Sequence, residues 1–527
     1  MGLESAADAA IQQNLEQFVV VLAVSLSVAT LSRIVPWVRQ IPYTLLLVIV
    51  GLGLAFIDVR LVKLSPPLIL EIFLPPLLFE AAWNVRWREL KSNWFPVLLF
   101  AVFGVIISIL VIAFGLSQLT NLTLPTALLV GASLSTTDPV SVVALFRQLG
   151  ASKKLTILME GESLFNDGVA VVAFVLLVSL PLGKELFSLP IIAPLFFSFV
   201  GIGVGVGCAI GFGLSYLTQR FDLPLVEQSL TLVSAYASYL ITEELGGSGV
   251  IGVVTVGIIL GNFGSRIGMS PRTRLLVSQF WDFLAFFVNS IVFLLIGDQV
   301  KLSNLTDNFN VICVCILAVL ISRFIIIFGF GGLSNWLANS QIRLGEQTVL
   351  WWGGLRGSVS VALALSVPSA LSQRQEIIDT VFGVVLFTLL VQGLTMQWML
   401  EKFNLIGDRR LSQEYFQLIA RQSALKRVVD YLDKLVLSGD SNFELYQPKK
   451  ELVEKQLVLV EEDIVKKQKE HPQLQALILE QLEENLLNIE SDTYAEFIRS
   501  GRLDNDLAPL LKEIFTESEQ ASVARII

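Results

Sequence analysis

The chain predicts an all-α polytopic membrane protein of about thirteen spanning helices followed by a soluble helical tail, and three observations carry that expectation. Of its 527 residues 54% are hydrophobic and only 16% charged, with a mean hydropathy of +0.69, against roughly 25% charged in an average soluble domain. Apolar runs of the roughly 17 to 25 residues that a spanning helix needs recur thirteen times, centred near residues 26, 50, 75, 106, 135, 168, 203, 236, 257, 290, 320, 358 and 390. The charge is split unevenly, about 42 charged residues in the first 400 positions and about 41 in the last 127. The expected boundary therefore separates a membrane domain, 1–403, from a hydrophilic tail, 404–527.

Taken in order, the first run follows Glu4 and Asp8 with no Lys or Arg before it, which argues against a cleaved signal peptide. The third, LEIFLPPLLFEAAWNV, carries Glu80 behind a double proline; Glu80 reads either as a contributor to a nearby polar cavity or as a cap near the interface. The fifth, LLVGASLSTTDPVSVVALF, contains Thr136, Thr137, Asp138 and Pro139. Proline lacks a backbone donor and disfavours helix in the residue before it, so the chain should open near Asp138. Opened backbone at membrane depth is tolerated beside a cavity or within protein, and transporters build ion sites from it. The alternative there is a plain proline kink with a capping Asp. The seventh run holds GIGVGVGCAIGFG, most simply a close-packing face and a candidate dimer contact. The twelfth, WWGGLRGSVSVALALS, sets Arg356 among Gly353, Gly354 and Gly357.

The sixth run begins with GESLFNDG. On a helix Ser163 and Asp167 are four residues apart, as are Glu162 and Asn166, which makes two adjacent polar stripes. One offers a carboxylate and a hydroxyl to a small hard cation, which prefers oxygen ligands. The other offers a carboxylate to a buried cationic side chain, with the amide bracing its surroundings. Ionisable groups inside spans cost a few kcal/mol each and face cavities or partners. Glu71, Glu80, Asp138, Glu160, Glu162, Asp167, Asp282, Arg323 and Arg356 are such groups, and their acidic balance favours a cation pathway over an anion pathway. Arg356 needs a carboxylate partner if buried, and Glu162 is the expected one.

STTDPV, GESLFNDGVAVV, FWDFLAFFVNSIVFLLIG and GGLRGSVSVALAL, in that order, resemble the cation:proton antiporter family, in particular its NhaP-like sodium/proton antiporters, over residues 15 to 400. The resemblance implies thirteen helices, two six-helix inverted repeats, and an ion site where broken helices cross. It implies that Asp167 binds cation or proton alternately, that Ser163, an oxygen at Thr137 and Glu80 complete the cation site, and that Asp138 belongs to the unwound crossing. It also implies that Glu162 and Arg356 form a structural ion pair. Asn166, where relatives with two adjacent acids carry Asp, implies one cation per proton.

The expected function is therefore secondary antiport of sodium, or lithium, against protons, with cation and proton competing for Asp167. A potassium/proton antiporter of the same fold and a tail-gated cation channel are the alternatives. The sole histidine, His471, lies in the tail, so proton coupling falls to carboxylates. No His-Glu zinc motif or Ser-His arrangement stands in the membrane domain, which disfavours an enzyme, and no cofactor is expected. Cys208, Cys313 and Cys315 sit in apolar segments as packing residues.

Cytoplasmic loops hold the excess of Lys and Arg. With the N-terminus outside, the inner loops would hold about thirteen (Arg33, Arg39, Arg86, Arg88, Lys91, Arg147, Lys153, Lys154, Arg220, Arg266, Arg272, Arg274 and Arg343). The outer loops would hold about five (Arg60, Lys63, Lys184, Lys301 and Arg374). A cell-membrane protein with a cytoplasmic tail follows. The tail reads as two amphipathic stretches, EYFQLIARQSALKRVVDYLDKLV and LQALILEQLEENLLNIE, regulatory or oligomerising. It has no basic run of the kind that binds nucleic acid. Expected partners are sodium, protons, the lipid bilayer and a second copy of the chain.

Overall fold

The computed structural model describes residues 2–35, 41–57, 61, 62, 64–182, 189–219, 223–300, 302–338, 340–406, 409–437, 443–471 and isolated positions between 482 and 497. Arg39, Arg60, Lys63, Lys184, Arg220 and Lys301, and most of the second tail stretch, lie outside the described residues. The chain divides into two units, Met1–Leu405 and Ile406–Ile527.

Among the described residues of the first unit every expected centre falls in a helix and no strand occurs. These helices are α1 Gly2–Ile34, α2 Tyr43–Phe56, α3 over 68–84 and α4 Trp94–Leu119. The α5 helix, Leu124–Leu149, is followed by α6 Lys153–Leu177, α7 Leu189–Thr218, α8 Pro224–Glu244 and α9 over 249–268. Then come α10 Pro271–Asp298, α11 Phe309–Ala338, α12 over 344–365 and α13 Arg374–Lys402. Six of them, α4, α5, α7, α10, α11 and α13, contain segments long and apolar enough to cross a membrane, and α1, α2 and α9 contain shorter apolar helices. Membrane crossing by the other seven, α1, α2, α3, α6, α8, α9 and α12, and with it the count of thirteen, belongs to the reading proposed below.

Two helices are broken. Helix α5 consists of α5a, Leu124–Ser135, and α5b, Val140–Leu149, with 136–139 unwound ahead of Pro139. Helix α12 consists of α12a, Leu344–Trp352, and α12b, Ser358–Leu365, with the break at the glycines. The breaks lie seven helices apart, and the packing repeats at that interval: α2 lies on α10 as α9 lies on α3, α5a on α6 as α12b on α13. Seven is odd, so equivalent helices of a spanning bundle run in opposite directions. That is the geometry of an inverted repeat.

The glycines of α7 separate into two faces. Gly203, Gly207 and Gly211 lie so close to Ile251, Thr255 and Ile259 of α9 that no side chain fits, whereas Gly201, Gly205 and Gly213 meet nothing. Close packing is thus present within one chain. The second unit contains α14, Arg409–Leu437, and α15, Phe443–Glu470, which pair around Tyr415, Val460 and Ile464 with Leu418, Ile419 and Leu425 against them.

Candidate cation site at the crossing of α5 and α12

The two unwound stretches touch directly. The amide of Asp138 donates to the carbonyl of Leu355 at 2.8 Å, and the hydroxyls of Thr136 and Ser360 share a hydrogen bond of 2.7 Å. The Asp138 carboxylate occupies the space a side chain at position 357 would fill, which requires glycine there, and its Oδ1 accepts from the amide of Val140, the first residue of α5b, at 3.0 Å. Pro139 and Gly357 are therefore two halves of one device, the first opening the chain and the second making room for what the opening exposes.

Helix α6 passes beside this crossing, its start fixed by the Ser152 hydroxyl accepting from the Leu155 amide. Its polar residues diverge as helical spacing dictates. Glu160, Ser163 and Asp167 line a cavity of about 440 Å³, shared with Glu80 and Asn84 of α3, Thr137 and Asp138 of the break, Asp282 and Asn289 of α10, and Ser358 of α12b. The Ser163 and Thr137 hydroxyls are 2.9 Å apart. Asn166 points to the break, donating to the Thr137 hydroxyl at 2.6 Å and accepting from the Thr137 amide at 3.4 Å. One oxygen of Asp167, Oδ1, is buried with no hydrogen-bond partner. Glu80, whose place the pattern of α3 left open, stands on the cavity wall, where the Asn84 amide donates to it at 2.5 Å.

The expected pair of Glu162 and Arg356 is not what forms. Both oxygens of Glu162 accept from Arg323 of α11, Nη1 to Oε1 and Nη2 to Oε2 at 3.0 Å, and Nη2 also donates to the Leu350 carbonyl at 3.1 Å. Both side chains are buried. Arg356 instead donates through Nη1 to the carbonyls of Ser135, at 3.2 Å, and Thr136, at 2.6 Å, while its own amide donates to the Thr388 hydroxyl at 3.1 Å. The physical reason is the break. Unwinding strips the last carbonyls of α5a of their helical donors and leaves the negative end of a helix dipole in the interior, and the Asp138–Leu355 link holds Arg356 over that end. Glu162 is left to the bidentate guanidinium of α11, a geometry that favours carboxylate recognition.

Arg323 was visible as an ionisable residue within a span, but nothing in helical periodicity shows that α11 and α6 meet there. Glu162 is matched by Arg323, and Arg356 is given to backbone carbonyls, so neither guanidinium hydrogen-bonds the Asp167 carboxylate. Among the described residues no cluster of three or more His, Cys, Asp or Glu side chains that could hold a metal ion occurs.

Substituting Arg356 by Ala leaves the Ser135 and Thr136 carbonyls without their donor, each an uncompensated buried group worth about 1 to 3 kcal/mol. The expected result is a lowered thermal midpoint in detergent together with weakened ion binding, measured by thermal unfolding and by sodium titration of exchange.

A profile of the sodium/hydrogen exchanger family, transmembrane, matches residues 22–402. The chain belongs to the sodium/hydrogen exchanger family. It is 62% identical over 524 residues to the Na(+)/H(+) antiporter ApNhaP of Aphanothece halophytica, covering 98% of this chain and 100% of that one. Over 505 residues it is 59% identical to the low-affinity Na(+)/H(+) antiporter NhaS1 of Synechocystis, covering 95% and 96%. Among solved structures, the sodium proton antiporter MjNhaP1 of Methanocaldococcus jannaschii at pH 8 matches with a TM-score of 0.61 and 21% identity, over 74% of this chain and 97% of that one. That match is to the membrane fold alone. The two curated antiporters are matched almost end to end, so the likeness extends into the tail.

Proposed function

We propose that this exchanger carries sodium in one direction and a proton in the other, one for one, with Asp167 as the carboxylate both ions share. The carrying observation is the buried Oδ1 of Asp167, unpartnered and on a cavity that also holds the hydroxyls of Ser163 and Thr137 and the carboxylate of Glu80. A small hard cation takes oxygen ligands of these kinds, and a proton satisfies the same oxygen. Because either ion cancels the same charge, the site holds one or the other. The bare carboxylate is costly to move through a dry partition, and this makes the exchange obligatory.

Electroneutrality is supported by Asn166, whose amide bridges to Thr137 and adds no second titratable charge. In proteoliposomes, sodium-driven proton flux is expected to be unchanged when membrane potential is clamped; flux that scales with the clamp voltage would exclude one-for-one exchange. Lithium and potassium are the comparison ions for selectivity.

The same reading makes all thirteen helices membrane-crossing and places the N-terminus outside and the tail in the cytoplasm of a cell-membrane protein. Lys153 pairs with Glu89 at 2.7 Å, joining the α3–α4 and α5–α6 connections on one face. The Lys/Arg-rich loops mark that face as cytoplasmic. The cavity mouth, where Arg147 pairs with Glu160 at 2.7 Å, opens on it. A second copy of the chain is proposed to sit on the open face of α7, where Phe197, Val204 and Phe212 are exposed beside Gly201, Gly205 and Gly213.

A further inference from the structure

A second cavity, of about 170 Å³, is lined by Gln299, Val300, Leu305, Leu365, Arg374 and Asp379, among others. Its position relative to the first is set by two helices that touch both. Helix α12b places Ser358 and Val359 on the Asp167 cavity and Leu365 on this one. Helix α10 lines the first with Asp282 and Asn289, and Gln299, just past its end, lines the second. At 1.5 Å per residue the half-helix between them spans about 10 Å. The two cavities therefore lie at opposite ends of one interface, separated by α12b.

At the second cavity stands a carboxylate that the mechanism above does not use. Asp379 is 7% exposed. Its Oδ1 accepts from Gln375 at 2.8 Å and Asn304 at 3.4 Å, its Oδ2 from Asn304 and Asn308, both at 3.3 Å. Among the described residues no cation pairs with it. Arg374, on the same wall, gives Nε to the Val367 carbonyl and Nη2 to the Leu365 carbonyl. Asp379 is thus a buried acid of the membrane domain ringed by amide donors, and the guanidinium on its cavity wall, that of Arg374, is given to backbone carbonyls. Each amide that donates to Asp379 also carries an oxygen, and amide rotation turns these oxygens toward a bound ion. The repeat supports the same assignment: α13 is the equivalent of α6, and Asp379 lies near the start of α13 as Glu160, at the mouth of the first cavity, lies near the start of α6.

We propose that the Asp379 cavity is the entrance for monovalent cations from the face opposite the Asp167 cavity. The cation is held there by the Asp379 carboxylate with amide oxygens of Asn304, Asn308 and Gln375 before it reaches the central site. This assignment rests on the antiport reading, and its test separates the two. The full-length protein is reconstituted in one orientation, and the sodium concentration for half-maximal proton exchange is measured from each face for wild type, Asp379→Asn and Asp379→Glu. Removing Asp379's charge leaves Arg374 as the charged group of the cavity wall, which turns its field against cations. Asp379→Asn is therefore expected to raise the half-maximal concentration from the Asp379 face about three- to tenfold and leave the other face unchanged, with Asp379→Glu close to wild type. An equal shift on both faces, or none, overturns the entrance. A wild type without sodium-coupled proton flux overturns the antiport reading instead. Should Asp379→Asn fail to fold, Leu305→Cys in a chain with its three native cysteines replaced by Ala serves in its place. Labelling with an impermeant cationic thiol reagent from that face is expected to slow exchange and to be hindered by sodium, and complete labelling without effect overturns the proposal.

Discussion

Asp167→Asn is expected to abolish sodium-coupled proton exchange and to leave the fold intact. The two halves of this expectation have separate causes. Exchange is lost because the amide neither takes up a proton nor presents the charge that holds a bare cation. The fold is kept because Oδ1 of Asp167 makes no hydrogen bond that the substitution breaks. An isosteric neutral group also removes a buried charge whose burial is unfavourable. The thermal midpoint in detergent should be equal to or above that of wild type, read by unfolding monitored on the purified protein, while proton flux after a sodium step falls to that of empty liposomes. Sodium-dependent flux that persists in this variant would falsify the central role of Asp167.

Arg323→Ala is the substitution expected to damage stability most. It removes both donors from Glu162 and leaves a carboxylate buried without a partner, a change worth roughly 3 to 5 kcal/mol in buried pairs. The expected outcome is a sharp fall in folded yield and thermal midpoint. The loss should shrink when Glu162→Gln is added, because the second change removes the stranded charge. The same cycle with Arg356 should show much weaker coupling to Glu162, since the Arg356 guanidinium donates to backbone carbonyls. Stronger coupling of Glu162 to Arg356 than to Arg323 would reverse the pairing.

Much of the site is readable from local pattern because local pattern causes it. The spacing of Ser163 and Asp167 on one face of α6, and of Glu162 and Asn166 on the next, follows from helical geometry alone. Pro139 opens α5 by removing a donor and crowding Asp138, so that break can be located before any helix is placed, whereas the glycines around Arg356 signal only close packing and the break in α12 emerges with the fold. What stays hidden depends on which distant helices meet. Arg323 and Arg356 look alike as single cations in apolar runs, and only the placement of α11 beside α6, and of the α12 break over the end of α5a, decides which one Glu162 receives. Glu80 was undecided for the same reason: its side of α3 becomes a cavity wall only when α10 and α5 close around it. Asp379 gave no signal, since the asparagines that surround it lie more than seventy positions away.

The thinness of the wall that α12b provides has an electrical consequence. If electrolyte fills the cavities on either side, the potential that elsewhere falls across some 30 Å of hydrocarbon falls here across about 10 Å, and the local field is about threefold steeper. A carrier whose loaded site is neutral with either ion crosses that field without work. Any variant that leaves one unit of charge on the moving site would instead meet nearly the whole membrane voltage in a single step, about 2.3 kcal/mol per 100 mV. Steep voltage dependence, which one-for-one exchange would lack, would then report directly on a change in the charge that α6 carries.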